Sequence, residues 1–432
     1  MFRKIVPIRS LFVSFIIMIS YGLVYQFHNN EIIREYFEDR AFDNILNASI
    51  VSWLGLSGIG LANHAQKIEN VPNTLIVSID QNHLKQNHLI DDHNESAYGY
   101  LFPRAELSKL IESLDVKSEK LNLKAVFLDY DLSYTMMPNG QEWSEDDIQL
   151  LKTLQKKRNY KILIPIGSSH HVFYDHLQDA SWIIPVSVSF ANSADGISRR
   201  FVSEQDGFPS ASLVLFSIAK GYEIAFDNKE IIINKQNYKT QDVIQNRIIV
   251  KNTYKHDGFY ESKWLDLHIA SASMLDNLEF DKKEIADGTF VLLGSGYQYS
   301  NDILKTSNSD LFGIEIHANA LMTHFYLGGF LKAFPVLYAM ILVFIVSFII
   351  NYGYDYLNGF SPTAGKEFIF SFAAVITMSI IMYVISYTIL FTQKMWFNWN
   401  IPLMLFAISE MVDMILKLTT RYKYYKKGRT NK

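Results

Sequence analysis

The chain has 432 residues, with 44 acidic against 40 basic side chains and a net charge of −4. That balance gives no surplus of cations for a polyphosphate backbone and argues against nucleic-acid binding. With no cysteine, disulfides, thiolate metal sites and thiol nucleophiles are excluded.

Arg3, Lys4 and Arg9 lead into an apolar run over residues 8–27 that carries no charge beyond Arg9. At about 1.5 Å per residue such a run crosses a hydrocarbon core of about 30 Å. No small-residue cleavage pattern follows, so it reads as an uncleaved signal anchor. In the long middle, residues 28–332, TLIVSID (Thr74–Asp80) reads as a buried strand ending in an acid. A helical pattern then starts at Arg104 and carries Leu107, Leu110, Ile111 and Leu114, and LKAVFLDYDL is a second strand, ending in Asp129 and Asp131. Asp146 and Asp147 open another amphipathic helix, and YKILIPIG (160–167) is a third strand. ASLVLFSIAKG is a helix stopped by Gly221, and TFVLLGSG (289–296) is a strand running into Gly294 and Gly296. Continuous apolar strands alternating with helices predict an α/β domain with a mostly parallel sheet covered on both faces. The pieces EIIIN and RIIVKN, between Glu223 and His268, predict a hairpin-rich insertion or edge.

Three further spans are expected over 333–352, 368–391 and 396–416, making four transmembrane helices in all. The basic head (1–7) and the basic tail (417–432), with Arg421, Lys423, Lys426, Lys427, Arg429 and Lys432, place both termini in the cytoplasm by the positive-inside rule. The middle segment is then extracytoplasmic, and 353–367 is a cytoplasmic loop. The expected location is a bacterial inner membrane, with the domain in the periplasm. Tyr352, Tyr354, Tyr356, Trp396 and Trp399 read as interfacial aromatics.

Acids at the carboxyl ends of parallel strands sit where α/β folds place ligands, so Asp80, Asp129 and Asp131 are ligand-binding candidates, with helix or turn capping as the competing role. Gly294 and Gly296 permit close approach of ligand or backbone, with Asp302 shortly beyond. Glu315 and His317 in GIEIHAN share a face if extended and lie nearly opposite if helical; His317 joins the candidates as a titrating group. Asp195-Gly196 reads as a turn before a solvated basic pair, Arg199 and Arg200. His83, His88 and His93 with Asp91, Asp92 and Glu95, and the group His170, His171 and His176, lack the spacing that aligns metal ligands, so no metal is expected. No phosphate loop, H-E-x-x-H or G-x-S-x-G motif is present, and neither enzyme activity nor a cofactor is expected. In the last span Glu410 and Asp413 share a helix face, a candidate contact for a membrane partner unless Lys417 pairs with Asp413.

The ordered blocks LIVSID, FPRAELSKLIESL, AVFLDYDLS, DDIQLLKTL, NSADGISRRF, FPSASLVLFSIA, FVLLGSG with Asp302 following, and GIEIHANAL are similar to the second type of CHASE domain, over about Thr74–Leu327. The resemblance implies a periplasmic sensory module, framed by one preceding and three following membrane helices, that signals to a cytoplasmic kinase or cyclase. This sequence departs from that pattern: no output domain follows the fourth span, and Leu101-Phe102-Pro103-Arg104 stands where the family tends to have tryptophans around the proline. Residues Asn308–Leu311 also lack the family's Thr-Pro stretch. The expectation is a membrane-anchored sensory or binding protein without its own catalytic output, acting through the bilayer and membrane or envelope proteins, with homo-oligomerisation left open. The alternative is a structural or scaffolding component of a cell-envelope complex.

Overall fold

The computed structural model describes residues 2–26, 39–46, 71–90, 102–136, 142–166, 171–192, 195–227, 230–239, 245–249, 260–262, 267–280, 282–283, 285–297, 302–306, 310–358 and 364–430. The chain forms two compact units, Met1–Leu61 with Leu331–Lys432, and Ala62–Phe330. It opens with helix α1 (Phe2–Tyr25) and a short helix α2 (Arg40–Leu46), both in the first unit.

The second unit contains strands β1 (Asn73–Ile79), β2 (Leu123–Leu128), β3 (Lys161–Pro165), β4 (Ile183–Val186), β5 (Tyr260–Ser262), β6 (Leu267–Ser271) and β7 (Thr289–Ser295). They form one sheet in the order β5-β6-β1-β7-β2-β3-β4. Six strands run parallel and only the edge strand β5 is antiparallel. Helices α3 (Gln81–Gln86), α4 (Arg104–Lys117), α5 (Glu145–Gln155), α6 (Ala211–Lys220) and α7 (Gly313–Leu327) belong to the same unit.

Period-two alternation in strands whose two faces are both apolar divides the core in two. Leu75, Val77, Ile79, Val126, Leu128, Ile162, Ile164, Val291 and Leu293 meet Leu107, Ile111 and Leu114 of α4 and Leu150 and Leu154 of α5. From the other face Ile76, Ala125, Phe127, Leu163, Phe290 and Leu292 meet Leu215 and Phe216 of α6 and Ile314, Ala318, Leu321 and Phe325 of α7. The helices are bounded as their sequences dictate. Ser144 and Asp147 form a reciprocal capping box at the start of α5, and Gly221, at φ +65°, ends α6 in the left-handed conformation.

The expected hairpin-rich insertion is a three-stranded antiparallel meander over Ile224–Asp227, Glu230–Ile233 and Gln236–Lys239. RIIVKN forms no strand among the described residues: Arg247 makes a single bridge to Arg200, and Ile248 and Ile249 are buried. Leu267–Ser271 joins the main sheet beside β1, an assignment its polar His268 and Ser271 conceal in the sequence.

In the first unit α8 (Val336–Asn358), α9 (Ala364–Thr388, continued by a π turn over Ile389–Gln393) and α10 (Asn400–Thr430) complete the set. Among the described residues three helical stretches are long and apolar enough to cross a membrane: Ile8–Tyr25, Val336–Leu357 and Phe368–Gln393. Helix α10 is continuous, but its apolar run is interrupted by Glu410, Asp413 and Lys417. Three of the expected interfacial aromatics are buried inside this unit. Trp396 lies edge-on to Phe42 with ring centroids 4.6 Å apart, Trp399 packs on Tyr383, and the Tyr354 hydroxyl is 2.6 Å from that of Ser371.

Candidate functional site

Phe127 and Asp129 are two residues apart, so Asp129 continues the face of β2 that looks onto α7. The Asp129 amide donates to Leu293 O at 2.8 Å, prolonging the parallel ladder by one bond and fixing the side chain just beyond the strand end. Helix α7 approaches closely here because Gly294 has no side chain: a Cβ at that position would lie 2.8 Å from Ile314 Cβ and 3.1 Å from Asp129 Cβ. Helical geometry, the second of the two conformations left open for GIEIHAN, turns His317 toward Asp129.

A cavity of about 240 Å³ opens at this point, lined by Asp129, Val188, Phe190, Asp302, Leu304, Gly313 and His317. Asp302 enters from the segment before a small hairpin, Ile303–Lys305 with Asp310–Phe312. Its main-chain carbonyl accepts from the Gly313 amide at 2.9 Å, and its carboxylate occupies the space that a Cβ on Gly313 would need, 2.5–2.9 Å away. Only glycine fits at the first position of α7 while that carboxylate is in place. Glu315, one turn in, accepts from the Phe312 amide at 2.9 Å and brings a further negative charge.

The electrostatics follow chiefly from burial. Asp129 Oδ2 is buried and accepts no hydrogen bond, and Oδ1 lies 3.9 Å from His317 Nε2, beyond hydrogen-bonding range. Burial, reinforced by the charge of Asp302, pushes the Asp129 carboxyl well above the usual carboxylate range. Burial also raises Asp302 to about 6, with Glu315 contributing and the Gly313 amide opposing. His317 is 4 % exposed and packs against the Phe127 and Phe190 rings at 5.0 and 4.5 Å. Burial lowers it to about 3, so it is a neutral imidazole at physiological pH.

Of the seven sequence candidates, Asp129, Asp302 and His317 come together at the cavity, and Gly294 is the close-packing point beneath it. Asp80, Asp131 and Gly296 lie outside it. Asp80 caps α3, accepting from the His83 amide and the Ser271 hydroxyl, both at 2.9 Å. Asp131 accepts from the Ser133 amide at 2.8 Å in a turn, and its carbonyl accepts from Arg104 at 2.7 Å. Gly296 permits contact between the ends of β7 and β1, because a Cβ there would strike Ser78 Oγ. Val188, Phe190, Leu304 and Gly313 were not foreseen: they lie on short, aperiodic segments, and only the fold gathers them.

The remaining polar groups have local partners. Arg199, expected to be solvated, is buried and forms a two-pronged ion pair with Asp195 at 2.8 and 2.9 Å; Arg200 is buried as well. His83 lies 3.1 Å from Glu106, while His176 and His171 pack on Trp143 and Phe208. Asp91, Asp92, His93, Glu95 and His170 lie outside the described residues. Among the described residues no three His, Asp or Glu side chains converge in a way that would hold a metal. In the first unit Asp413 pairs with Lys417 at 2.7 Å and with Arg9, and Glu410 accepts from the Ser371 hydroxyl at 2.9 Å.

The sequence profile of the CHASE2 domain matches residues 13–350. The chain belongs to the CHASE2 family. That family is one of extracellular sensory domains, and the match runs from within α1, across the whole α/β unit, into α8. No curated protein and no solved structure matches the chain. Within the CHASE2 domain the cavity thus lies at the carboxyl ends of β2 and β7, the end of a parallel sheet at which α/β folds receive ligands.

Proposed function

We propose that the chain is a membrane-anchored CHASE2 sensor without catalytic activity of its own. In this reading the Ala62–Phe330 unit faces the extracytoplasmic side, the Asp129–Asp302–His317 cavity receives the stimulus, and four helices pass it to a membrane partner. The observation that carries the reading is the CHASE2 match from one apolar helix to the next with the sheet unit between them. A fourth crossing by α10 is supported by its packing. Ile408, Met411, Val412, Ile415 and Leu416 are exposed, as a lipid-facing surface requires, whereas Glu410 turns inward to Ser371 and Asp413 is paired with Arg9 and Lys417. Helix α10 is held to α1 and α2: Asp413 pairs with Arg9 of α1, and the indole of Trp399, just before α10, donates to the Ala41 carbonyl of α2 at 3.2 Å. Basic residues at both termini support a cytoplasmic location for each.

Alkaline phosphatase fusions, active only outside the cytoplasm, test the topology. Activity is expected for fusions after Asp206 and Lys394, and none after Asn358 or Lys432. Activity at Lys432 would remove the fourth crossing.

A further inference from the structure

The sensory reading names no stimulus, and the cavity's chemistry narrows it. Its polar walls are acceptors: Asp129, whose buried Oδ2 has no donor, Asp302, and His317, an unprotonated imidazole that makes no hydrogen bond among the described residues although its side chain is only 4 % exposed. The other walls are Val188, Phe190, Leu304 and the bare main chain of Gly313. Among the described residues no Lys or Arg lines the cavity. Two carboxyl groups and one imidazole, with apolar surface beside them, form a site that calls for donors and positive charge, attached to a small apolar body.

We propose that this cavity binds a small ligand through a primary ammonium group, whose three N–H donors go to Asp129, Asp302 and His317. This rests on the sensory reading above and gives it a chemical class. An ammonium supplies three donors and no acceptor, which matches the three acceptor groups. A metal ion is the weaker fit: among the described residues no three His, Asp or Glu side chains come close enough together to hold one at bonds of about 2 Å, whereas an ammonium nitrogen reaches its acceptors over about 2.9 Å. Burial raises both carboxyls, with the charge of Asp302 adding at Asp129 and that of Glu315 at Asp302, so the acid pair keeps a proton in the free chain. The ammonium group takes that proton's place, so both carboxylates ionise against a cation that donates hydrogen bonds to them. Phe190, whose ring packs on His317, together with Val188 and Leu304, would cover the alkyl part.

The test is ligand-dependent melting of the full chain in lipid nanodiscs. The probes are butylammonium chloride, ammonium chloride, 1-pentanol and sodium butanoate, with sodium chloride matching ionic strength. Butylammonium is expected to raise the melting midpoint, and pentanol and butanoate to leave it unchanged. The rise should vanish in Asp129→Asn and in Asp302→Asn. Should either variant fail to melt cooperatively, Leu304→Trp, which fills the cavity from the hairpin, must abolish the rise instead. An equal rise from ammonium chloride would overturn the apolar-body half of the proposal. A rise from butanoate or pentanol that Leu304→Trp abolishes would overturn the ammonium class while leaving a ligand-sensing cavity standing. No rise from any probe, or an undiminished rise in all three variants, would overturn the site itself, whereas the topology fusions test the membrane-sensor reading separately.

Discussion

Asp302 and His317 line the same cavity but act on stability in opposite directions as pH changes. Asp302 titrates near 6 in the folded chain against an ordinary value of 3.8, so the folded state binds its proton more tightly. That contribution is fully present below about pH 4 and is lost as pH rises through about 6. His317, lowered from 6.5 to about 3, contributes stability that is present above 6.5 and lost as pH falls toward 3. The decisive readout is therefore a difference. Asp302→Asn should melt like the parent near pH 4 and be more stable above pH 6.5, by on the order of 2 kcal/mol. A constant difference across that range would contradict the assignment. A second prediction concerns Asp115, which takes two bonds from Arg158 at 2.7 and 2.9 Å and one from the Tyr160 hydroxyl at 2.6 Å. Arg158 is almost fully buried, so Arg158→Ala should cost about 3 kcal/mol in chemical denaturation. At this scale the sequence was partly legible. An acid after an apolar strand marks the correct end of the sheet, but ligand contact and capping both favour Asp there. Neither Asp80, which caps α3, nor Asp131, which closes a turn, could be told from Asp129 without knowing which face each side chain joins.

Among the elements, α7 carries the site because it can lie unusually close to β7. Gly294→Ala would drive a methyl group into the β-branched Ile314, which cannot swing aside, so the helix must shift. The expected cost is about 1–3 kcal/mol, with loss of any ligand response. Gly313→Ala would displace the Asp302 carboxylate instead, abolishing the response for a smaller loss of stability. Ser144→Ala, which removes the cap of α5 on the opposite face of the sheet, should cost about 1 kcal/mol and leave the response intact. Melting curves with and without ligand separate the three outcomes. The buried strands and amphipathic helices were readable because uninterrupted apolar runs admit few alternatives. β4 and β6 were not, since IIPV and LHIAS are short and mix polar residues or proline into their runs. In α10, where the sequence leads one to expect a fourth span over 396–416, Glu410, Asp413 and Lys417 break the apolar run, and the structure shows that each has a partner within the chain.

For the whole molecule, the division into two compact units predicts that residues 62–330, expressed alone, form a soluble domain with mixed helix and strand by circular dichroism and one cooperative melt. A disordered product would show that the membrane helices are needed to complete the fold. The order of the strands also governs how this domain is made. β7 sits between β1 and β2 although it is translated long after both. Until residues 289–295 have left the ribosome, β1 and β2 each present an unpaired parallel edge, and β1 cannot close on β2 without blocking the seat of the last strand. The nascent chain must therefore hold two half-sheets apart through most of its synthesis, exposing apolar edges that invite chaperone capture. A truncation after Ile285 should remain bound to holdases, whereas one after Leu327 should be released folded.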